Sequence, residues 1–350
     1  MNSSANMRKN MKYTAIVLMA LFVVSCKSGC KKNKWDVPVD KIENKIQIQR
    51  FEQDLFACKD TSDLKKLSVK YGDFYFIFTQ GFMQFPAGKD SLSSAYMLDM
   101  IRHPRLRFLY DTVSTVFKDF SPYTDRLNDA MKHYKYYFPN DSFPQIITYI
   151  SEFGPPGYYD DKYIGIGLDL YLGKDFQYYQ APELEFPQYK IDKLTREYLV
   201  CDAVVSLIRH KINSDINNPP ALFVARAVDE GKVLFMLDVL CPDMQDSIKI
   251  KYSQKQLDWI KGAEKEMWVD FVNRKVLYSK DRVENSHYFN DGPFTSAPNV
   301  SQEAPPRVGA WLGWQIVRKY METHPNATVQ DLLNEKDALK IFKESGYRPK

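Results

Sequence analysis

The chain reads as an α+β domain, predominantly helical, with a small mixed sheet packed on the helices. Three observations predict this. Leu194, Tyr198, Cys201, Val205, Ile208 and Ile212 recur at alternating spacings of four and three, the buried face of a long helix. Residues 45–51 (KIQIQRF) alternate apolar and polar, and 145–152 and 163–170 read as further strands. No internal repeat divides the chain, so residues 41–350 form one domain.

The elements follow in order. Residues 60–71 form a helix stopped by Gly72, and the dense aromatic stretch 74–85 reads as a buried helix. Helices over 91–102 and 105–120 are separated at Pro104. Ser121 and Pro122 form an N-cap and first-turn pair that opens a helix to about 138. Between the strands 145–152 and 163–170, residues 153–161 are full of turn formers. Residues 172–190, rich in proline and aromatics without period, form an ordered loop. The long helix 194–212 is followed by a second over 219–240, apolar nearly all round as far as Val228 and hence deeply buried. Ser253 and Gln256 make a capping box for a third, continuing over 263–277 with Trp268 on it. A polar loop spans 285–303. Pro305 and Pro306 then start a helix to about Met321.

Residues 1–25 read as an export signal. Arg8, Lys9 and Lys12 precede an unbroken apolar run over 15–24, with no acidic residue before Cys26. Ten residues rise only about 15 Å as a helix, half a bilayer core. The run ends in Val23-Val24-Ser25-Cys26, which resembles a lipobox and makes Cys26 the lipidated mature N-terminus. Residues 26–40 are then a polar tether, anchored to the membrane by acyl chains. Removing these 25 of 350 residues leaves 325, and removing their three basic residues lowers the formal charge from +4 to +1. A near-neutral body argues against nucleic acid as a partner. No later apolar run is long enough to span a membrane.

Most chemical motifs are missing. The five histidines, His103, His133, His210, His287 and His324, form no H-E-x-x-H, and no Walker loop, G-x-S-x-G or C-x-x-C occurs. Gly165 and Gly167 lack the third glycine of a dinucleotide turn and more simply let a neighbouring backbone approach. Buried thiols are the plainer reading of Cys201 and Cys241; the disulfide pairing of Cys30, Cys58, Cys201 and Cys241 stays open.

Four stretches stand out: Tyr149-Ile-Ser-Glu-Phe-Gly154, Ile164-Gly-Ile-Gly-Leu-Asp-Leu-Tyr-Leu-Gly173, Asp229-Glu-Gly-Lys-Val-Leu-Phe235 and Pro306-Arg-Val-Gly-Ala-Trp-Leu-Gly-Trp-Gln-Ile-Val317. With the lipobox and the closing Ser345-Gly-Tyr-Arg-Pro349, the chain resembles the gliding-motility lipoprotein B (GldB) family of Bacteroidetes. The resemblance implies a cell-envelope lipoprotein with protein partners in the gliding and secretion machinery. The missing acidic residues after Cys26 favour the periplasmic face of the outer membrane.

The layout also resembles a zincin-type metallopeptidase whose metal site is gone. That resemblance makes 163–170 an edge strand, 193–212 the first helix and Glu230 the glutamate of the second. The metal histidines are missing from the first helix, so no metal or cofactor is expected and Glu230, Arg226, Asp202 and Asp169 become remnant-cleft candidates. Arg226 stands one turn before Glu230, so an intrahelical ion pair is the plainer reading. Asp202 lies either at the cleft or beside a basic residue. Arg307 reads as a surface charge at a helix start. Asp160 and Asp161 with Asp169 are a weak calcium candidate. Ser91, Thr112 and Ser247 sit in short Asp-hydroxyl-aliphatic segments that resemble O-glycosylation acceptors of that phylum. The function expected is a non-catalytic scaffold or binding subunit; an atypical peptidase-like hydrolase and a glycan-binding lipoprotein are the alternatives.

Overall fold

The computed structural model describes residues 34–43, 46–85, 90–155, 157–214, 217–298 and 300–349, without the side chains of 90 and 91. The chain parts into two units, Met1–Val37 and Pro38–Lys350. In the first, residues 34–37 make a turn closed by the Val37 N–H on the Trp35 carbonyl at 3.0 Å. Cys26, Cys30 and the export signal lie outside the described residues.

The second unit is a four-stranded sheet covered by helices. Its strands are β1 (Ile48–Arg50), β2 (Gln145–Tyr149), β3 (Gly157–Tyr159) and β4 (Tyr163–Gly167). They lie in the order β1-β2-β4-β3; the first three run parallel and β3 is antiparallel. The mixed sheet and the helical majority agree with the sequence reading. Three details differ. The expected strand over 45–51 is cut short because Phe51, fully buried, already begins a helix. β4 is interior, flanked by β2 and β3, so the expected edge strand is no edge. The edge on that side is β3, three residues drawn from the turn-rich linker that pair Tyr158 with Gly165, and β1 is the other edge. At Gly165 it is side chains, not backbone, that come close: a Cβ there would meet Tyr149 Cε1 at 3.0 Å and Tyr158 Cβ at 3.2 Å.

The helices before β2 are α1 (Phe51–Ala57), α2 (Thr61–Tyr71), α3 (Asp73–Phe76), α4 (Asp90–Arg102), α5 (Pro104–Val116) and α6 (Ser121–Tyr137). Asp60 caps α2 by accepting from the Ser62 and Asp63 N–H groups, and Gly72 ends it at φ 52°. α3 widens into a π-helical stretch, Ile77–Phe82, where the Met83 N–H reaches the Phe78 carbonyl at 2.9 Å. That stretch feeds Phe74 and Phe78 into an edge-to-face cluster on Phe51, with centroids 5.3 and 4.8 Å apart. Ser121 is the first residue of α6 rather than its cap; the Asp119 carboxylate accepts its N–H at 2.9 Å.

After the sheet come α7 (Leu199–Ile212), α8 (Phe223–Leu240), α9 (Asp246–Ile250), α10 (Gln254–Asn273), α11 (Val308–Thr323), α12 (Val329–Asn334) and α13 (Ala338–Ser345). The Ser253–Gln256 capping box of α10 is present. α12 and α13 had no counterpart in the sequence reading. α7 lies under β3 and β4, and α8 packs along α11. The α8–α11 crossing is backbone on backbone: a Cβ on Gly313 would overlap the Ala227 carbonyl, and one on Gly231 would overlap Gly313. A buried hub locks the other end of the pair, where Asp238 accepts from Arg318 at 2.7 Å, Lys249 at 2.9 Å and Trp314 Nε1 at 2.9 Å. No described helix is long and apolar enough to cross a membrane.

Candidate functional site

The four stretches singled out in the sequence meet in pairs. Tyr149–Gly154 and Ile164–Gly173 join at Asp169; Asp229–Phe235 and Pro306–Val317 join at Glu230.

The Glu230 centre is built from three helices. α8 presents Glu230 one residue before Gly231, the glycine that lets α11 approach. From α7, Arg209 donates through Nη2 to both carboxylate oxygens at 2.9 Å. Arg307 adds a donor to Oε2 at 3.1 Å. Arg307 stands at the N-cap of α11 with φ 60°, a left-handed conformation held by its neighbours. Thr295 Oγ1 donates to the Pro305 carbonyl at 2.7 Å, and Tyr252 Oη to the Pro306 carbonyl at 2.5 Å. Ser214 extends the network, accepting from Arg209 at 3.0 Å and donating to Asp229 at 2.7 Å. Burial pushes the Glu230 carboxyl up, but the Arg209 and Arg307 guanidiniums outweigh it and hold it below the usual range.

This arrangement corrects two expectations. Arg226 forms no ion pair with Glu230; its guanidinium lies 4.5 Å over the Phe289 ring. Arg307 is no surface charge but a half-buried partner of Glu230. Neither long-range partner of Glu230 had a local sequence signal: Arg209 lies 21 residues away and Arg307 77.

The other candidates sit elsewhere. Asp202 on α7 pairs with Lys251 at 2.6 Å and accepts from Tyr171 Oη at 3.0 Å, which resolves its two readings toward a basic partner. Asp169 is fully buried and clamps the turn after β2, accepting the Phe153 N–H at 2.6 Å and the Ser151 N–H at 3.3 Å. That turn holds Glu152 and Phe153 at φ 53° and 66°, which non-glycine residues seldom adopt. Asp160 caps its own turn through the Lys162 and Tyr163 N–H groups, and Asp161 faces His210 at 2.9 Å. The three aspartates of the calcium reading therefore have separate partners. No group of metal-binding side chains converges among the described residues.

Cys201 and Cys241 are buried free thiols and Cys58 is a half-buried one. Of the modification candidates, Thr112 donates to the Phe108 carbonyl within α5 at 2.9 Å. Ser247 stands on α9 beside Asp246, which is held by Arg318 at 2.9 Å. The side chain of Ser91 lies outside the described residues.

No curated protein and no solved structure matches the chain, so the zincin-like layout has no support from a known fold. The interior position of β4 and the two guanidiniums on Glu230 also differ from what that layout required. One family model does match, that of gliding motility protein GldB, over residues 32–349. Nearly the whole chain, including both paired sets of stretches, is thereby accounted for, and the protein belongs to the gliding motility protein GldB family.

Proposed function

We propose that this chain is a non-catalytic binding or scaffold lipoprotein of the gliding and secretion machinery. Its lipid anchor is Cys26 and its place is the periplasmic face of the outer membrane. The observation that carries the non-catalytic reading is the occupation of Glu230. A general base needs a free lone pair directed at the proton it takes. Three guanidinium hydrogen bonds instead fall on about four lone-pair sites of Glu230, at 2.9 and 2.9–3.1 Å, and the two positive charges lower the basicity of what is left. A metal ion drawn to the same carboxylate would lie beside two guanidinium charges already paired with it, against the electrostatics of a cation site. The centre serves instead to fix α7, α8 and the start of α11 as one rigid frame for partner proteins.

The test is elemental analysis of full-length protein purified without chelator, together with a broad peptidase assay. Substoichiometric zinc and no hydrolysis are expected. Zinc at one equivalent, or hydrolysis that disappears in Glu230→Ala, would overturn the reading.

A further inference from the structure

A groove of about 680 Å³ runs between α2, the stretch formed by α3 and its π-helical continuation, and α4. It shares no residue with the Glu230 centre. Its volume falls in the range of small-molecule sites. Thr61, Ser62 and Ser68 line it from α2, Thr79 from the π-helical stretch and Ser94 from α4; among its described lining residues Lys65 carries the one charge and none is a carboxylate. Phe76, 52% exposed, supplies an aromatic wall.

The hydrogen-bonding state of this wall selects the ligand. Ser68 Oγ donates to the Lys65 carbonyl at 2.8 Å, and Thr79 Oγ1 donates to the Tyr75 carbonyl at 2.9 Å. A hydroxyl has one donor and two lone pairs, so these two keep only acceptor capacity, Ser68 half-buried and Thr79 buried. Lys65 and the Gln80 amide supply donors on the same wall. The described lining offers a cation no carboxylate, and the Lys65 ammonium is exposed, where water and salt screen its pull on an anion. A neutral ligand whose own hydroxyls both donate and accept suits a wall that offers both acceptors and donors.

α3 shapes the apolar half of the groove. Its Phe74, with Phe78 of the π-helical stretch, is buried in the core, while Phe76 keeps half its surface outside. An exposed aromatic ring beside a row of hydroxyls matches a molecule with one C–H face and a polar rim. We propose that this groove binds pyranose units of a neutral carbohydrate, with Phe76 as the stacking platform.

Saturation-transfer NMR on detergent-solubilised full-length protein tests this, with cellobiose, maltotriose and N,N′-diacetylchitobiose as probes. Transfer to the ring protons of at least one sugar is expected. In Phe76→Ala binding should weaken about tenfold, the loss of one ring contact. Circular dichroism should not change, because the ring is exposed. Three results would each overturn the assignment: no transfer to any of the three sugars, undiminished transfer in Phe76→Ala, or equal transfer to the uncharged peptide N-acetyl-Ala-Ser-Ala-amide. None of these readouts involves metal or hydrolysis, so this proposal and the non-catalytic reading stand or fall separately.

Discussion

Glu230 and Asp169 are both carboxylates withdrawn from water, and the two regions that hold them do so by different means. In the helical region, Glu230 faces two full positive charges and is held ionised, below its ordinary range. In the sheet region, burial pushes Asp169 up to about 6, and the backbone N–H groups of Phe153 and Ser151 pull against that without prevailing. Partial charges on amides offset less of the desolvation than guanidiniums do. Packing repeats the contrast. Gly313 and Gly231 bring α8 and α11 together at the backbone, whereas Gly165 of β4 opens space for the Tyr149 and Tyr158 side chains. The helical region is therefore fixed in both charge and position, and the sheet region keeps some freedom in each.

The contrast is sharpest at the glycines. In Gly313→Ala the new methyl overlaps the Ala227 carbonyl, and neither backbone can yield without moving a helix. The cost should exceed the usual overpacking penalty and reach about 4 kcal/mol or more, read as loss of soluble folded protein. Gly165→Ala meets the edge of the Tyr149 ring at 3.0 Å, which can give by a few tenths of an ångström. Its cost should stay near 1 kcal/mol by urea unfolding. Equal effects at the two sites would break the distinction.

Next in size is the charge at Glu230. Glu230→Gln keeps the shape but leaves the Arg209 and Arg307 guanidiniums facing each other without a counter-ion. Breaking such a pair costs about 3 kcal/mol or more. Urea midpoints at neutral pH would show it, and 1 M salt should recover little because the group is only 14% exposed. A loss under about 0.5 kcal/mol, the scale of an exposed pair, would mean that the centre is not a structural clamp.

What the sequence made legible follows the same division. Local rules work where local chemistry decides. The Gly72 stop and the Ser253 box appear as read, and Cys201 and Ile208 of the 194–212 spacing lie on the buried face of α7, which begins only at Leu199 and leaves Val205 and Ile212 half-buried. They fail where tertiary contact decides. β3 is a strand only because Tyr158 and Tyr159 pair with β4, so Gly157–Tyr159 reads locally as turn. The π-helical stretch leaves no mark in the periodicity, because Phe74 and Phe78, which meet Phe51, stand four residues apart as they would on any α-helix. Glu230 stands out in the sequence, but the nearest arginine in sequence, Arg226, is not its ion-pair partner. Arg209 and Arg307 arrive from separate helices, and charge spacing within one helix cannot report them.

The effect on pH dependence has the Glu230 figure as its ceiling, and it separates the two carboxylates by sign. The ordinary Asp169 value is 3.8 and its folded value is about 6. Between these, the native chain holds a proton that the unfolded chain has released. Stability from this group is thus fully present below pH 3.8 and is lost as pH rises through 6. A shift of about two units bounds the change at about 3 kcal/mol. Glu230 acts oppositely: its folded value lies below 4.5, so its contribution is present above 4.5 and is lost as pH falls through the folded value. Glu52 and Asp229 are also pushed up by burial, so wild type alone mixes several titrations. Asp169→Asn isolates one of them. Its amide oxygen can still accept the Phe153 N–H, and it carries no charge at any pH. Urea unfolding of both proteins from pH 4 to 7.5 should show wild type losing stability relative to the variant as pH rises, with the difference levelling off above the folded value. Parallel curves would mean that Asp169 ionises at its ordinary value and that two backbone amides suffice to hold a buried carboxylate after all.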